Sequence, residues 1–219
     1  FSFVFLSILV IPNYLSIIQE MKADLILNKG IFAGAKTSDR IIYDYKQLKK
    51  IVEHCRGLGL RIVLTQGTFD MAHIGHGRYL QEAKSHGDIL IVGVDSDEKV
   101  RERKGPERPV VPHVARLEML THLRPVDLVV LKEIHYPKYH LIKTVQPDVL
   151  IATEGTYNKE KLGEVKKLCA RVIVLKPQAT TSTSAKIRLM QINTAKKVGR
   201  TLTPKIMRAI EEVLGELHN

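Results

Sequence analysis

Along most of this chain, short apolar runs alternate with longer segments of helical periodicity. Between residues 43 and 55, Tyr45, Leu48, Ile51 and Val52 recur at the spacing of one helix face, and Gly57 and Gly59 then act as stop signals. Residues 61–65 form a short β-branched run closed by Gly67, residues 74–86 read as a helix closed by Gly87, and residues 89–94 are a near-continuous apolar run. Such a run suits a strand buried on both faces. The alternation continues: helix over 114–123, strand over 126–131, helix over 137–145, strand over 149–152, helix over 159–169, strand over 172–175, and a further helix from 184 to 192.

Strands that alternate with helices make a parallel sheet covered on both faces, because each crossover must span the sheet. Five strands fit between residues 61 and 175, which predicts a doubly wound, Rossmann-like α/β domain with a five-stranded parallel sheet. Its ligand belongs at the carboxyl ends of the central strands. The core domain is expected over 61–193, after an N-terminal extension (21–60) carrying one helix and an apolar stretch (1–20). A basic linker at 196–200 then leads to a C-terminal helix within 194–219, with Thr203-Pro204 as cap and first turn. Ile206, Ile210, Val213, Leu214 and Leu217 give that helix an apolar stripe suited to packing on the domain or on a second subunit.

The chain has 219 residues, room for one core domain with extensions. With 34 Lys and Arg against 23 Asp and Glu, the formal charge is +11, which favours anionic partners. The charge is spread along the chain, no zinc-finger spacing or aromatic RNA-binding signature occurs, and nucleic acid is not the expected partner. Cys55 and Cys169 form no CxxC pair, so no metal or redox motif is indicated. Residues 1–19 carry no charge, but Asn13, Tyr14, Ser16 and Gln19 interrupt the apolar run. The segment has neither the basic start nor the small-residue end of a signal peptide. An extension outside the working fold is expected, with membrane attachment and a packed element as the alternatives; stable membrane association is not expected, and the cytoplasm is the expected location.

The chemistry concentrates in Thr65-Gln66-Gly67-Thr68-Phe69-Asp70-Met71-Ala72-His73-Ile74-Gly75-His76-Gly77, between the first long strand and the next helix. Gly67 permits close backbone approach, and a helix start presents unpaired N–H groups to a phosphate. His73 and His76, three residues apart, can face one ligand across a turn. Nucleotidyl transfer needs fixed donors for the charge that builds on phosphate oxygens, and no side-chain nucleophile. A zinc site would need more ligands than this segment offers.

Gly67-Thr68-Phe69-Asp70 followed by His73-Ile74-Gly75-His76 resembles the cytidylyltransferase-like branch of the nucleotidyltransferase superfamily, over about residues 61–190. Ser182-Thr183-Ser184 resembles the family's Ser-Thr-Thr segment, which opens the last helix and binds the triphosphate. Lys104-Gly105, with Arg108-Pro109-Val110, resembles a loop of the bacterial heptose-phosphate adenylyltransferases, which implies phosphate contact by Lys104. Arg116 and Arg124 match arginines of the glycerol-phosphate cytidylyltransferase pattern. Arg101, Glu102 and Arg103 read as a solvated charge run.

The resemblance implies a nucleotidyltransferase that joins an NTP to a phosphorylated small molecule and releases pyrophosphate. ATP with a heptose 1-phosphate-like acceptor is the first expectation; CTP with glycerol 3-phosphate or another phosphorylated alcohol is the alternative, supported by Arg124. His73, His76 and Lys104 are the expected catalytic residues. Gly67, Thr68, Phe69, Asp70, Gly75, Arg116, Arg124, Ser182, Thr183 and Ser184 are the expected nucleotide-binding residues, Asp70 chiefly by ordering the loop. Mg²⁺ is expected to arrive with the NTP, without a dedicated set of protein ligands. A homodimer is expected. The chain departs from the pattern at Thr156, where the heptose and glycerol enzymes have aspartate, and at Pro177-Gln178-Ala179. A synthetase reading fails for want of a Lys-Met-Ser-Lys-Ser segment and of length; a non-catalytic nucleotide-binding module is the remaining alternative.

Overall fold

In the computed structural model, residues 36–154, 159–176 and 183–216 are described. They form two units, divided after residue 178.

The first unit is built on six parallel strands: β1 (Ile41–Ile42), β2 (Ile62–Gly67), β3 (Ile89–Asp95), β4 (Leu128–Lys132), β5 (Val149–Thr153) and β6 (Arg171–Leu175). They lie in the order β1-β4-β3-β2-β5-β6. The sheet is therefore wound outward in both directions from β2, and the strand order reverses between β2 and β5. In such sheets a crevice opens beyond the carboxyl ends at that reversal.

The expected α/β class is present, with one strand more than the five expected. Ile41–Ile42 pairs with Val129 and Val130 at the sheet edge. Two residues are too short to leave a periodic signal, and only β4 draws them into the sheet.

The region before residue 61 also builds core. Helix α1 (Tyr45–Gly57) is capped by Asp44, whose carboxylate accepts from the Lys46 N–H at 2.8 Å. Its Leu48, Val52 and Cys55 are buried against Ile62, Leu64 and Leu150 on one face of the sheet, together with α5 (His140–Val145). Helices α2 (Ile74–Lys84) and α4 (His113–Thr121) cover the other face through Tyr79, Leu80, Leu117 and Leu120.

Helix α3 (Asp97–Lys104) occupies part of what reads in sequence as a charged loop. Ser96 caps it, Asp97 and Glu98 fill its first turn, and Arg101, Arg103 and Lys104 its last. That charge order complements the helix dipole and compensates for an apolar content of one buried residue, Val100. Helix α6 (Lys159–Lys166) precedes β6.

The second unit is one helix, α7 (Thr183–Glu216). The expected linker at 196–200 is helical, and Pro204 lies inside the helix instead of opening a new one. Ile206, Ile210, Val213 and Leu214 of the expected stripe are exposed; Leu217 lies outside the described residues. No helix among the described residues is long and apolar enough to cross a membrane.

Candidate functional site

Strand β2 ends at Gly67, and the chain then turns sharply. Phe69 (φ 51°) and Met71 (φ 48°) both take left-handed backbone, which costs strain that surrounding contacts must hold. Phe69 folds back over Gly67, where an added Cβ would stand 3.0 Å from the ring. Gly67 is thus needed for its own loop to close, a use of the residue distinct from ligand approach.

Asp70 is buried and holds the facing loop. Its carboxylate accepts from the N–H groups of Val110 and Val111, both at 3.0 Å, and pairs with Arg108 at 3.0 Å. The expectation that Asp70 orders the loop matches this geometry, and the partner is the segment carrying Gly105, Arg108 and Pro109.

The two histidines form a reciprocal cap at the start of α2. The Gly75 N–H donates to His73 Nδ1 at 3.1 Å, and the His73 N–H to His76 Nδ1 at 3.3 Å. Their rings lie 4.2 Å apart, and the His76 ring is 5.5 Å from that of Phe69. A neutral imidazole that accepts through Nδ1 carries its proton on Nε2. Both rings are therefore set as Nε2–H donors at the positive end of a helix. Burial, the neighbouring His73 and Lys104 push the His76 pKa down to about 4, so it is neutral at physiological pH. Tyr79, one turn further along α2, shares a 2.6 Å hydrogen bond with Thr65, and Thr65 donates to the Ile151 carbonyl at 3.2 Å. These buried hydroxyls tie α2 to β2 and β5 at the strand-order reversal.

Lys104, the last residue of α3, lies close enough to His76 to act on its protonation. Its own pKa is lowered by partial burial and by Arg103 and Arg108. Thr68 is buried; its hydroxyl accepts from Arg103 at 3.0 Å. Arg103 also pairs with Asp95 at 2.9 Å, and Lys132 pairs with the other oxygen of Asp95 at 2.9 Å. Burial alone raises the Asp95 pKa, but Lys132, Arg103 and Lys99 outweigh it and hold the group below the usual carboxylate range.

Two expected binding residues are placed otherwise. Arg116 is 1% exposed and braces the loops from beneath. It donates to the carbonyls of Val111 (2.9 Å), Asp95 (2.9 Å) and Thr68, and to the Asp97 carboxylate at 2.7 Å. A guanidinium so committed is an internal strut, not a surface clamp for phosphate. Arg124 is exposed in the turn that precedes β4, at the amino end of a parallel strand. The motif loop follows the carboxyl end of β2, so Arg124 lies at the opposite end of the sheet.

Among the described residues no group of three or more His, Cys, Asp or Glu could hold a metal ion. Thr183 and Ser184 are in the first turn of α7. Ser182, Thr156 and 177–179 lie outside the described residues.

The geometry and the sequence relationships converge. The cytidylyltransferase-like family model matches residues 64–198. The chain belongs to this family. Curated relatives include the bifunctional protein HldE of a Nitratiruptor species, 38% identical over 152 residues that cover 69% of this chain and 33% of the relative. The bifunctional protein HldE of Sulfurimonas denitrificans is 40% identical over 153 residues, covering 69% and 32%. The chain thus spans about a third of the length of these relatives. A solved structure, the lipopolysaccharide core biosynthesis protein from Thermoplasma volcanium, is 28% identical, with a TM-score of 0.47 over 54% of this chain and 97% of that one. Family membership makes the domain a nucleotidyltransferase.

Within this cytidylyltransferase-like domain, the sequence pattern left Asp95, Lys99 and Lys132 unmarked and made Arg103 part of a solvated charge run, whereas it binds Thr68 and Asp95. A signal was there: Asp95 and Lys132 are the polar residues that end two apolar runs. Polar residues at the carboxyl ends of parallel strands face the crevice.

Proposed function

We propose that this domain transfers AMP from ATP to the phosphate of a sugar phosphate such as heptose 1-phosphate. An acceptor phosphate oxygen forms the new bond to the α-phosphorus, the bond from that phosphorus to the α–β bridging oxygen breaks, and pyrophosphate leaves with its electron pair. One observation carries the reading: two adjacent imidazoles, their rings 4.2 Å apart and tilted, each held through Nδ1 by a backbone N–H, stand as Nε2–H donors at the α2 N-terminus beside the strand-order reversal. Fixed donors of this kind stabilise charge that develops on phosphate oxygens. Lys104 and the Thr68 backbone complete the triphosphate side, with Thr183 and Ser184 assigned to it by the family resemblance. Mg²⁺ enters with the triphosphate as part of the substrate.

The preference for ATP and a heptose phosphate rests on the Lys104-Gly105 to Pro109-Val110 loop, which Asp70 holds against the motif. The CTP and glycerol phosphate reading loses the support of Arg124, which sits at the far end of the sheet. Homodimerisation belongs to the same proposal and is checked by light scattering on the purified chain.

The test is pyrophosphate release with Mg²⁺, ATP or CTP, and a panel of sugar and alcohol phosphates. ATP with a heptose phosphate is expected to give the highest kcat/KM. Turnover only with CTP and a polyol phosphate would transfer the assignment to the alternative. Nucleotide binding without any product would leave a non-catalytic module.

A further inference from the structure

At the carboxyl ends of β3 and β4, Lys99, Arg103 and Lys132 gather around the buried carboxylate of Asp95. Asp95 lies 1% exposed at the base, with Arg103 on one oxygen and Lys132 on the other, each at 2.9 Å. Lys99, one turn before Arg103 on α3, turns its amine to the Glu133 carbonyl at 3.4 Å and feels both Lys132 and Asp95. Two cations thus pair with one buried carboxylate, and a third, Lys99, feels it without an ion pair, with Glu102 also offsetting the charge of Lys99. Lys104 and Arg108 extend the cluster, opposed by Asp95 and Asp70.

Like charges gathered in a partly buried place repel one another, and an anion relieves that repulsion. The cluster also has reach. The Arg103 side chain is 53% exposed while one of its edges is tied to Asp95 and Thr68. It is therefore a planar donor held in place with a face still open to a ligand. The hydrogen bond from Arg103 to Thr68 joins this cluster to the first residues of the motif loop, so an anion here would lie beside the imidazole pair.

The geometry points to a second anion subsite, formed by Lys99, Arg103 and Lys132 over Asp95, that takes the phosphate group of the acceptor. The proposal deepens the nucleotidyltransferase reading and rests on it for the word acceptor; the anion site itself does not depend on turnover. A phosphate group could also come from the nucleotide, so the test separates the two sources.

The test uses the full chain, with affinity by calorimetry and melting by thermal shift. The probes are mannose 1-phosphate, mannose, inorganic phosphate and ATP. Mannose 1-phosphate and inorganic phosphate are expected to bind and raise Tm, less so as salt rises, and mannose to do neither. Lys99→Met and Lys132→Met are each expected to weaken mannose 1-phosphate about tenfold, the loss of one charge-assisted contact. ATP affinity should stay within about twofold, and Lys132→Arg should restore most of the binding. Should Lys132→Met fail to fold, Lys99→Met still decides, because Lys99 makes no ion pair with Asp95. Without ligand, Lys99→Met should melt no lower than the parent chain, since it removes repulsion.

Unchanged mannose 1-phosphate affinity in both variants overturns the subsite. Parallel loss of ATP and mannose 1-phosphate overturns its assignment to the acceptor. Phosphate binding in a chain that turns over no NTP retains the subsite and removes the proposed reaction. Turnover whose acceptor KM ignores Lys99 does the reverse.

Discussion

The two ends of the sheet use the same residue types to opposite effect. At the amino end, aspartates close backbone. Asp88 accepts from the Arg61 N–H and Asp148 from the Ile62 N–H, both at 2.7 Å, and Asp127 accepts from the Leu90 N–H at 2.6 Å. Asp127 also pairs with Lys84, and Arg40 donates to the Val126 carbonyl at 3.0 Å and to that of Thr121. Apart from the buried Arg40 Nε, these polar groups are matched, and the product is a finished strand start. At the carboxyl end, Asp70 and Asp95 hold loops and cations in place, and the imidazole Nε2 atoms with the cations around Asp95 form the proposed ligand site. The lesson is that a buried ion pair shows structure when its charges balance, and a binding site when they do not.

The comparison is broken most directly at His76. His76→Ala is expected to lower kcat by about 100-fold or more, the usual loss for one fixed donor to a developing oxyanion. Its Tm should fall by only a few degrees, from the lost cap on the His73 N–H. Pyrophosphate release under saturating substrates checks this; a parent-like kcat would take the imidazole pair out of the chemistry.

Asp127→Ala should show the reverse pattern. Removing the partner of Lys84 and of the Leu90 N–H is expected to cost about 2 kcal/mol of unfolding free energy, with KM for both substrates unchanged. Urea denaturation and steady-state kinetics read the two sides. A raised KM with intact stability would mean that the two ends are not separate in function.

Acid sharpens the contrast at the carboxyl end. His76 is held near pKa 4, below its ordinary value of 6.5. As pH falls through 6.5, the unfolded chain takes up a proton that the folded chain refuses, so stability declines from there to about pH 4, where both states are protonated. The loss attributable to this ring is about 1–3 kcal/mol. His76→Gln should flatten the stability profile between pH 6.5 and 4; an unchanged slope would assign the acid loss to other groups.

The smallest effect is expected from Arg124→Ala. With its side chain exposed at the amino end, kcat/KM should stay within about twofold of the parent value, as for surface changes away from special features. A loss of about tenfold would bring Arg124 back into the site, through a second chain if not through its own.

Much of the fold can be read from near neighbours. The alternating periodicities announce a parallel α/β sheet, because strand and helix faces repeat over two to four residues. The motif from Gly67 to Gly77 is contiguous, so its position at a strand-to-helix turn, with both imidazoles at one helix start, was legible. The two-residue strand at Ile41 was not, nor was the helix of Asp97–Lys104, whose stability comes from capping and charge order more than from an apolar stripe.

By itself, then, the chain's order of residues determined the fold class and the adjacent imidazole pair; that Asp70 holds the facing loop at Arg108, Val110 and Val111 came from the fold. Only tertiary structure decided that Arg116 is a buried strut, that Arg124 is at the wrong end, and that Arg103, a solvated charge by its neighbours, meets Asp95 and Thr68. The reason is physical. Periodicity and capping act over a few residues, whereas Arg116 and Arg103 are defined by partners up to 48 residues away, brought close by the order of the strands.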